Sequence, residues 1–318
     1  MSKKNSNVLA IAIMFFLFGM ISFVTGLQNP MGVIVKAQFG ASNFMSQLGN
    51  AANFIAYAFL GLPAGIILKK KGYKFTALAA VAVGFIGVTI SWLSGVVESF
   101  GVYLAGAFIS GFSMCMLNTV VNPMLNTLGG GGNKGNQLIQ LGGSVNSLCA
   151  TIVPVLVGYL IGDASKATIS NANPALFIAM GVFALAFLII FISVIPEPEL
   201  EDKADYDEEN EPMTVSLGHL FSQRHFVFGI IAIFIYVGVE VGIPNFVNLY
   251  LTTDYMLPGT VEHVSAAVAG TIVGIYWLLM LCGRLIGGAI GGKVSSRVMM
   301  ISVSSLALVL LLLGMFLP

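Results

Sequence analysis

Charge is what this chain has least of: Asp, Glu, Lys and Arg make up 9% of its 318 residues, against about a quarter in an ordinary soluble domain. That scarcity excludes most soluble enzymes, nucleic-acid binders and disordered chains. Its three histidines, His219, His225 and His263, stand in loops or at a helix edge, with no neighbour at metal-ligand spacing. Its three cysteines, Cys115, Cys149 and Cys282, fall in apolar stretches where they read as small buried hydrophobes, so no disulfide framework is implied. The glycine run Gly129 to Gly132 lacks the lysine and hydroxyl that would make it a phosphate-binding loop and reads as a hinge. No nucleophile and base pair is visible. The expectation is a protein that is not an enzyme and needs no cofactor, metal or nucleic acid.

What is present is apolar: 57% of residues are hydrophobic and the mean hydropathy is +0.93. At about 20 apolar residues per membrane span, the sequence predicts an all-α polytopic membrane protein. Nine spans are expected, at Val8 to Phe39, Asn43 to Leu68, Phe75 to Leu93, Phe100 to Leu128, Gln137 to Ile161, Pro174 to Val194, His225 to Leu251, Val264 to Gly291 and Val298 to Leu317. Lys3 and Lys4 precede a first run too long for a cleaved signal peptide. Pro30 and Pro244 are expected to interrupt spans one and seven, as happens where helices line a cavity.

A formal net charge of zero hides an asymmetry, because nine of the 14 acidic residues lie between Pro196 and Pro212. With a cytoplasmic N-terminus, 12 of the 14 Lys and Arg residues fall on inner loops and flanks, and only Lys36 and Lys166 fall outside. The acidic segment is then a cytoplasmic tether with little chance of folding alone. The predicted division is a six-helix bundle at 1–195, a linker at 196–223 and a partial second bundle of three helices at 224–318. A repeat supports it. Gly65, Lys69, Lys70, Gly72 and Lys74 follow span two, and Gly288, Gly292, Lys293, Ser295 and Arg297 follow span eight, 223 residues later. Parallel halves of this kind are a transporter design, and Gly65, Lys70, Gly72, Lys74, Lys293 and Arg297 are the candidate gating-loop residues.

Polar groups inside spans are costly and face protein or water. Glu240, near the middle of span seven with Asn245 and Asn248 beyond it, must be protonated, hydrated or paired, and is the candidate coupling group. Asn50, Asn53 and Tyr57 share one face of span two; Asn118, Asn122 and Asn126 recur every four residues in span four. Span five carries Gln140, Ser144 and Ser147 with Asn146 beside them, and span one carries Gln28 and Asn29. Amides offer paired donors and acceptors that match sugar hydroxyls, and the alternative for each is glue between helices. The candidate substrate-binding set is Gln28, Asn29, Asn50, Asn118, Asn122, Gln140, Asn146, Glu240, Asn245 and Asn248. Trp277 is the better placed of the two tryptophans to stack on a sugar face.

These residues resemble the major facilitator superfamily, and within it the fucose permease and glucose/galactose transporter group. The likeness rests on Ser42-Asn43-Phe44 opening span two and Pro63-Ala64-Gly65-Ile66 closing it. It rests also on Asn118-Thr119 with Asn122-Pro123, on Asn146-Ser147, and on Tyr236-Val237-Gly238-Val239-Glu240-Val241. The resemblance implies the major facilitator fold and monosaccharide transport by alternating access. It also implies a multi-pass location in a bacterial-type inner membrane with the lipid bilayer and a sugar as partners. A coupled proton or sodium ion is left open. The acidic residues that the group carries in spans one and four fall nearest Asn29 and Asn118, which do not titrate. The glutamine of span five falls at Gly143, with Gln140 one turn earlier. Carriage of another small polar solute, or a non-transporting receptor or scaffold, are the competing readings. Nine spans against the family's usual twelve predict a truncated gene product or fragment.

Overall fold

The computed structural model describes residues 3–161, 168–197, 213–252 and 266–316, and among them there is no strand. The helices are α1 (Lys3–Phe39), α2 (Asn43–Val96), α3 (Phe100–Leu128), α4 (Gly132–Ile161), α5 (Asn173–Ile192), α6 (Met213–Ser222), α7 (Arg224–Thr252), α8 (Ala266–Ile290) and α9 (Ser296–Phe316), with a 3₁₀ turn at Ile169–Ala172 before α5.

α2 contains the second and third expected spans in one 54-residue run. At 1.5 Å per residue it is about 80 Å long, more than twice the roughly 30 Å hydrocarbon core. It is broken where the charged loop was expected, at Gly72, whose φ of 82° and ψ of 178° are closed to a side-chain-bearing residue. Ser42 caps its start by accepting the Met45 N–H at 3.2 Å. Among the described residues, seven helices are long and apolar enough to cross a membrane, by length and composition. One expectation is corrected. α1 and α7 continue through Pro30 and Pro244 without a break, since one lost hydrogen bond is tolerable where neighbours re-satisfy the backbone. Residues Met213–Ser222, at the C-terminal end of the expected linker 196–223 and after its acidic stretch, form α6, whose apolar residues recur at helical spacing.

Two compact units are present: Met1–Glu199 together with Met280–Pro318, and Leu200–Leu279. In the first, Met14, Leu17, Val24, Met114, Leu117, Val121, Met124 and Phe183 are buried as its core. α2 and α3 form its most extensive contact. Lipid gives helices no hydrophobic reason to associate, so close van der Waals approach and hydrogen bonds must hold them. Small residues supply both. Ser113 Oγ donates to the Ala80 carbonyl at 2.6 Å, and a Cβ on Gly106 would fall 2.5 Å from Ser91 Oγ and 2.7 Å from its backbone nitrogen. Backbone cannot yield as a flexible side chain would. Gly106→Leu is therefore expected to cost about 2 kcal/mol or more and to lower the apparent Tm in detergent by about 5 °C, read by thermal unfolding. An unchanged Tm would show that α2 and α3 separate freely. In the second unit, the apolar stretch of α7 has no buried residue. α9, in the first unit, has none either.

Candidate functional site

The first unit brings several predicted residues into one layer. Phe18 of α1, Leu125 of α3 and Gly142 of α4 converge so closely that a Cβ on Gly142 would lie 2.8 Å from Phe18 and 2.9 Å from Leu125. One turn beyond this apolar floor, on α1 and α4, stand Ser22 and Asn146; one and two turns from Leu125 along α3 stand Asn122 and Asn118. Ser22 Oγ donates to Asn146 Oδ1 at 3.0 Å, and Asn146 Nδ2 donates to the Phe18 carbonyl at 3.2 Å. Asn118 Nδ2 donates to Tyr57 Oη at 3.0 Å and to the Met114 carbonyl at 3.2 Å. Asn122 Nδ2 donates to the Asn118 carbonyl at 3.1 Å and approaches Asn118 Oδ1 at 3.4 Å. Tyr57, Asn118, Asn122 and Asn146 are all half-buried. They are ordered by the bundle yet keep an open side.

Other predicted residues go elsewhere. Gln140 faces α8, with its carboxamide carbon 3.7 Å from where a Cβ on Gly287 would sit. Asn50 is half-buried on α2, while its neighbour Asn53 is buried against Gly111 with neither amide atom hydrogen-bonded among the described residues. The side chains of Gln28, Asn29, Asn245 and Asn248 lie outside the described residues. Glu240, in the second unit, is half-buried on α7, and its backbone carbonyl accepts from Tyr276 Oη of α8 at 3.1 Å. Tyr276 in turn packs edge-on against Trp277, with ring centroids 5.4 Å apart.

The two copies of the charged motif do different work. After the break at Gly72, Glu197 accepts the backbone N–H groups of Tyr73 at 2.6 Å and Lys74 at 2.8 Å, capping the restarted helix and opposing its positive end. Lys74 Nζ donates to the Phe191 and Ser193 carbonyls at 2.9 and 2.8 Å, satisfying the end of α5. Gly65 is half-buried with open space where a Cβ would sit, and Lys70 is exposed. The second copy packs on α4 instead. Gln137 Nε2 donates to the Gly288 carbonyl at 2.8 Å, Asn136 Nδ2 to Ser296 Oγ at 2.6 Å, and Arg284 Nη1 to the Gly143 carbonyl at 2.9 Å. A Cβ on Gly143 would crowd Arg284 Nη1 at 3.3 Å, so the missing side chain there makes room for the guanidinium. Lys293 and Arg297 are exposed.

Sequence reasoning passed over Ser22, Glu197 and Arg284. Ser22 is a single hydroxyl in an apolar run. Glu197 is the first acid of a segment read as solvated, though its place directly after the end of α5 and between two prolines is a local signal. Arg284 was counted as a flanking charge. Apart from the layer, a small cavity of about 20 Å³ lies among α1, α2, α3 and α5, lined by apolar side chains with Ser91, Tyr103 and Ser110, and it holds none of the predicted residues.

Residues 11–318 match the Major Facilitator Superfamily. A glucose/galactose transporter of Brucella abortus is 28% identical over 91% of this chain and 68% of its own length. An L-fucose-proton symporter of Escherichia coli K12 is 22% identical over 99% of this chain and 74% of its own length. The crystal structure of a Major Facilitator Superfamily transporter, FucP, in the outward conformation superposes with a TM-score of 0.74 at 20% identity, covering 91% of this chain and 73% of that one. The likeness to that structure is one of fold.

Proposed function

From the premise that this chain belongs to the Major Facilitator Superfamily, we propose that it carries a monosaccharide of the glucose, galactose or fucose type across a membrane by alternating access. Relatives bearing the names of glucose/galactose transporters and an L-fucose-proton symporter support the substrate class. The observation that carries the reading is the half-buried layer of Tyr57, Asn118, Asn122 and Asn146. Its amides are fixed by bonds to backbone carbonyls and to one another, and neutral donors and acceptors of that kind suit a polyol better than an ion. Asn118, Asn122 and Asn146 are the core of the proposed binding set, with Gln28, Asn29, Asn50, Gln140, Asn245 and Asn248 as its further members.

Glu240 is the proposed coupling group, for a proton in the first instance and sodium in the second. The charged motifs at Gly65 to Lys74 and Lys293 to Arg297 are the proposed gating loops, and the acidic segment at 196–223 divides the two bundles. The proposed setting is a bacterial-type inner membrane, surrounded by lipid, with the N-terminus in the cytoplasm. No catalysis is part of the proposal.

Counterflow in vesicles tests it directly. Vesicles loaded with one unlabelled sugar are expected to take up the same labelled sugar transiently above equilibrium, for at least one of D-glucose, D-galactose and L-fucose. Asn146→Ala is expected to weaken the apparent affinity about fivefold, since a hydrogen bond in a partly buried site is worth roughly 1 kcal/mol. Absence of overshoot with all three sugars would refute the substrate class.

A further inference from the structure

The donors and acceptors around Asn118 can be assigned completely, and the assignment points outward from the cluster. Asn118 Nδ2 has two hydrogens and two partners, the Met114 carbonyl at 3.2 Å and Tyr57 Oη at 3.0 Å. The Met114 carbonyl fixes the orientation, because a turned amide would set Asn118 Oδ1 against another acceptor at that distance. Tyr57 Oη must then accept from Asn118. Its own hydrogen is consequently directed elsewhere. Asn122 spends its Nδ2 on the carbonyl and Oδ1 of Asn118, which leaves Asn122 Oδ1 as an acceptor. Phe54, whose ring centroid is 6.1 Å from that of Tyr57, steadies the phenol ring. Tyr57 also stands about 20 Å from either end of its half of α2, at 1.5 Å per residue, which puts its hydroxyl at mid-depth.

We infer that Tyr57 is a specificity-determining residue: its phenolic O–H donates to one hydroxyl oxygen of the bound sugar, while Asn122 Oδ1 accepts a sugar O–H beside it. This rests on the reading of the chain as a monosaccharide carrier. The pair offers one donor and one acceptor, the complement of an alcohol. A carboxylate or phosphate would meet the repelling oxygen of Asn122, and an ammonium would meet the donor of Tyr57. The pair therefore selects neutral hydroxyls over charged groups at that position of the substrate. Asn118 does not touch the sugar through its Nδ2; it orients Tyr57.

The test is equilibrium binding by the full chain in detergent, using D-glucose, D-galactose and L-fucose and the monodeoxy analogues of whichever of these binds. Tyr57→Phe keeps the ring and removes the hydroxyl. It is expected to weaken the parent sugar about tenfold, while one deoxy analogue, lacking the contacted hydroxyl, binds the variant and the unsubstituted chain equally. Asn122→Ala is expected to lose discrimination at the same or the adjacent hydroxyl. A loss spread evenly over all analogues would mean that Tyr57 only supports the fold, and no loss at all would remove it from the site; either result overturns the inference. Failure of the unsubstituted chain to bind any parent sugar would overturn the carrier reading itself and this assignment with it.

Discussion

In vesicles, Glu240→Gln is expected to abolish sugar accumulation driven by a pH gradient while leaving counterflow intact. Glu98 and Glu197 are the other acids among the described residues, and both stand at helix ends, so Glu240 is the one acid within a span there. A carboxyl at that depth can bind and release a proton as its surroundings alternate between wet and dry. Its segment of α7 is held in place by Tyr276, which binds the Glu240 carbonyl and packs on Trp277. One pH unit is worth about 1.4 kcal/mol, so one proton per sugar sustains about a tenfold concentration ratio. Glutamine is nearly the same shape and cannot titrate. The ratio should therefore fall from about ten to about one per pH unit, whereas exchange of labelled for unlabelled sugar needs no net proton movement and should continue. An accumulation ratio that survives the substitution would exclude Glu240 from coupling. Loss of counterflow as well would make it a binding residue instead. Repeating the measurement with an imposed sodium gradient separates the two candidate ions.

The membrane class was legible because it depends on composition and run length, which survive averaging over whole helices. Both ends of α3 and the C-terminal end of α8 fall within a residue of expectation, since charged and glycine-rich stretches mark where hydrocarbon stops. What could not be read was which partner a polar residue would choose. Asn53 and Tyr57 lie on one predicted stripe, yet Asn53 is buried against the bare backbone at Gly111 while Tyr57 accepts from Asn118. Four residues of helical rotation error would exchange them. Glu197 was invisible for another reason. Its role depends on the backbone break at Gly72, more than a hundred residues earlier, where two N–H groups need an acceptor. Gly143 shows the same limit from the opposite side. Its lack of a side chain reads as a lost contact, whereas the space admits Arg284. The repeat between Gly65 to Lys74 and Gly288 to Arg297 was correct as spacing, but spacing does not reveal that one copy caps α5 and the other packs on α4.

Arg284→Ala is expected to loosen the seam between α4 and the end of α8, with an effect comparable in size to that at Glu240. Among the described residues, Arg284 donates to the Gly143 carbonyl and Gln137 to the Gly288 carbonyl across this seam, Asn136 reaches Ser296 at the start of α9, and the Arg284 bond is charge-assisted. Such a bond contributes about 1.5 to 3 kcal/mol, a factor of roughly ten to a hundred in an opening equilibrium. Close approaches at glycine add to these: Leu141 against Gly288, Gln140 against Gly287, and Gln137 against Gly291 and Gly292. These pack well only while the helices stay together. In a carrier that alternates access, a seam at this end must open once per cycle, and α4 also holds Asn146, one turn from Gly143. Arg284 would thus link the opening of the seam to the helix that bears Asn146 of the proposed binding layer. The reporter is a cysteine at Leu141, half-buried by Gly288, in a chain whose Cys115, Cys149 and Cys282 are replaced by alanine. Labelling by a membrane-impermeant maleimide from the cytoplasmic side should accelerate at least about tenfold in Arg284→Ala, and less in Arg284→Lys, which keeps the charge but loses the planar fork. Equal labelling rates in all three chains would show that the glycine contacts hold the seam without the arginine.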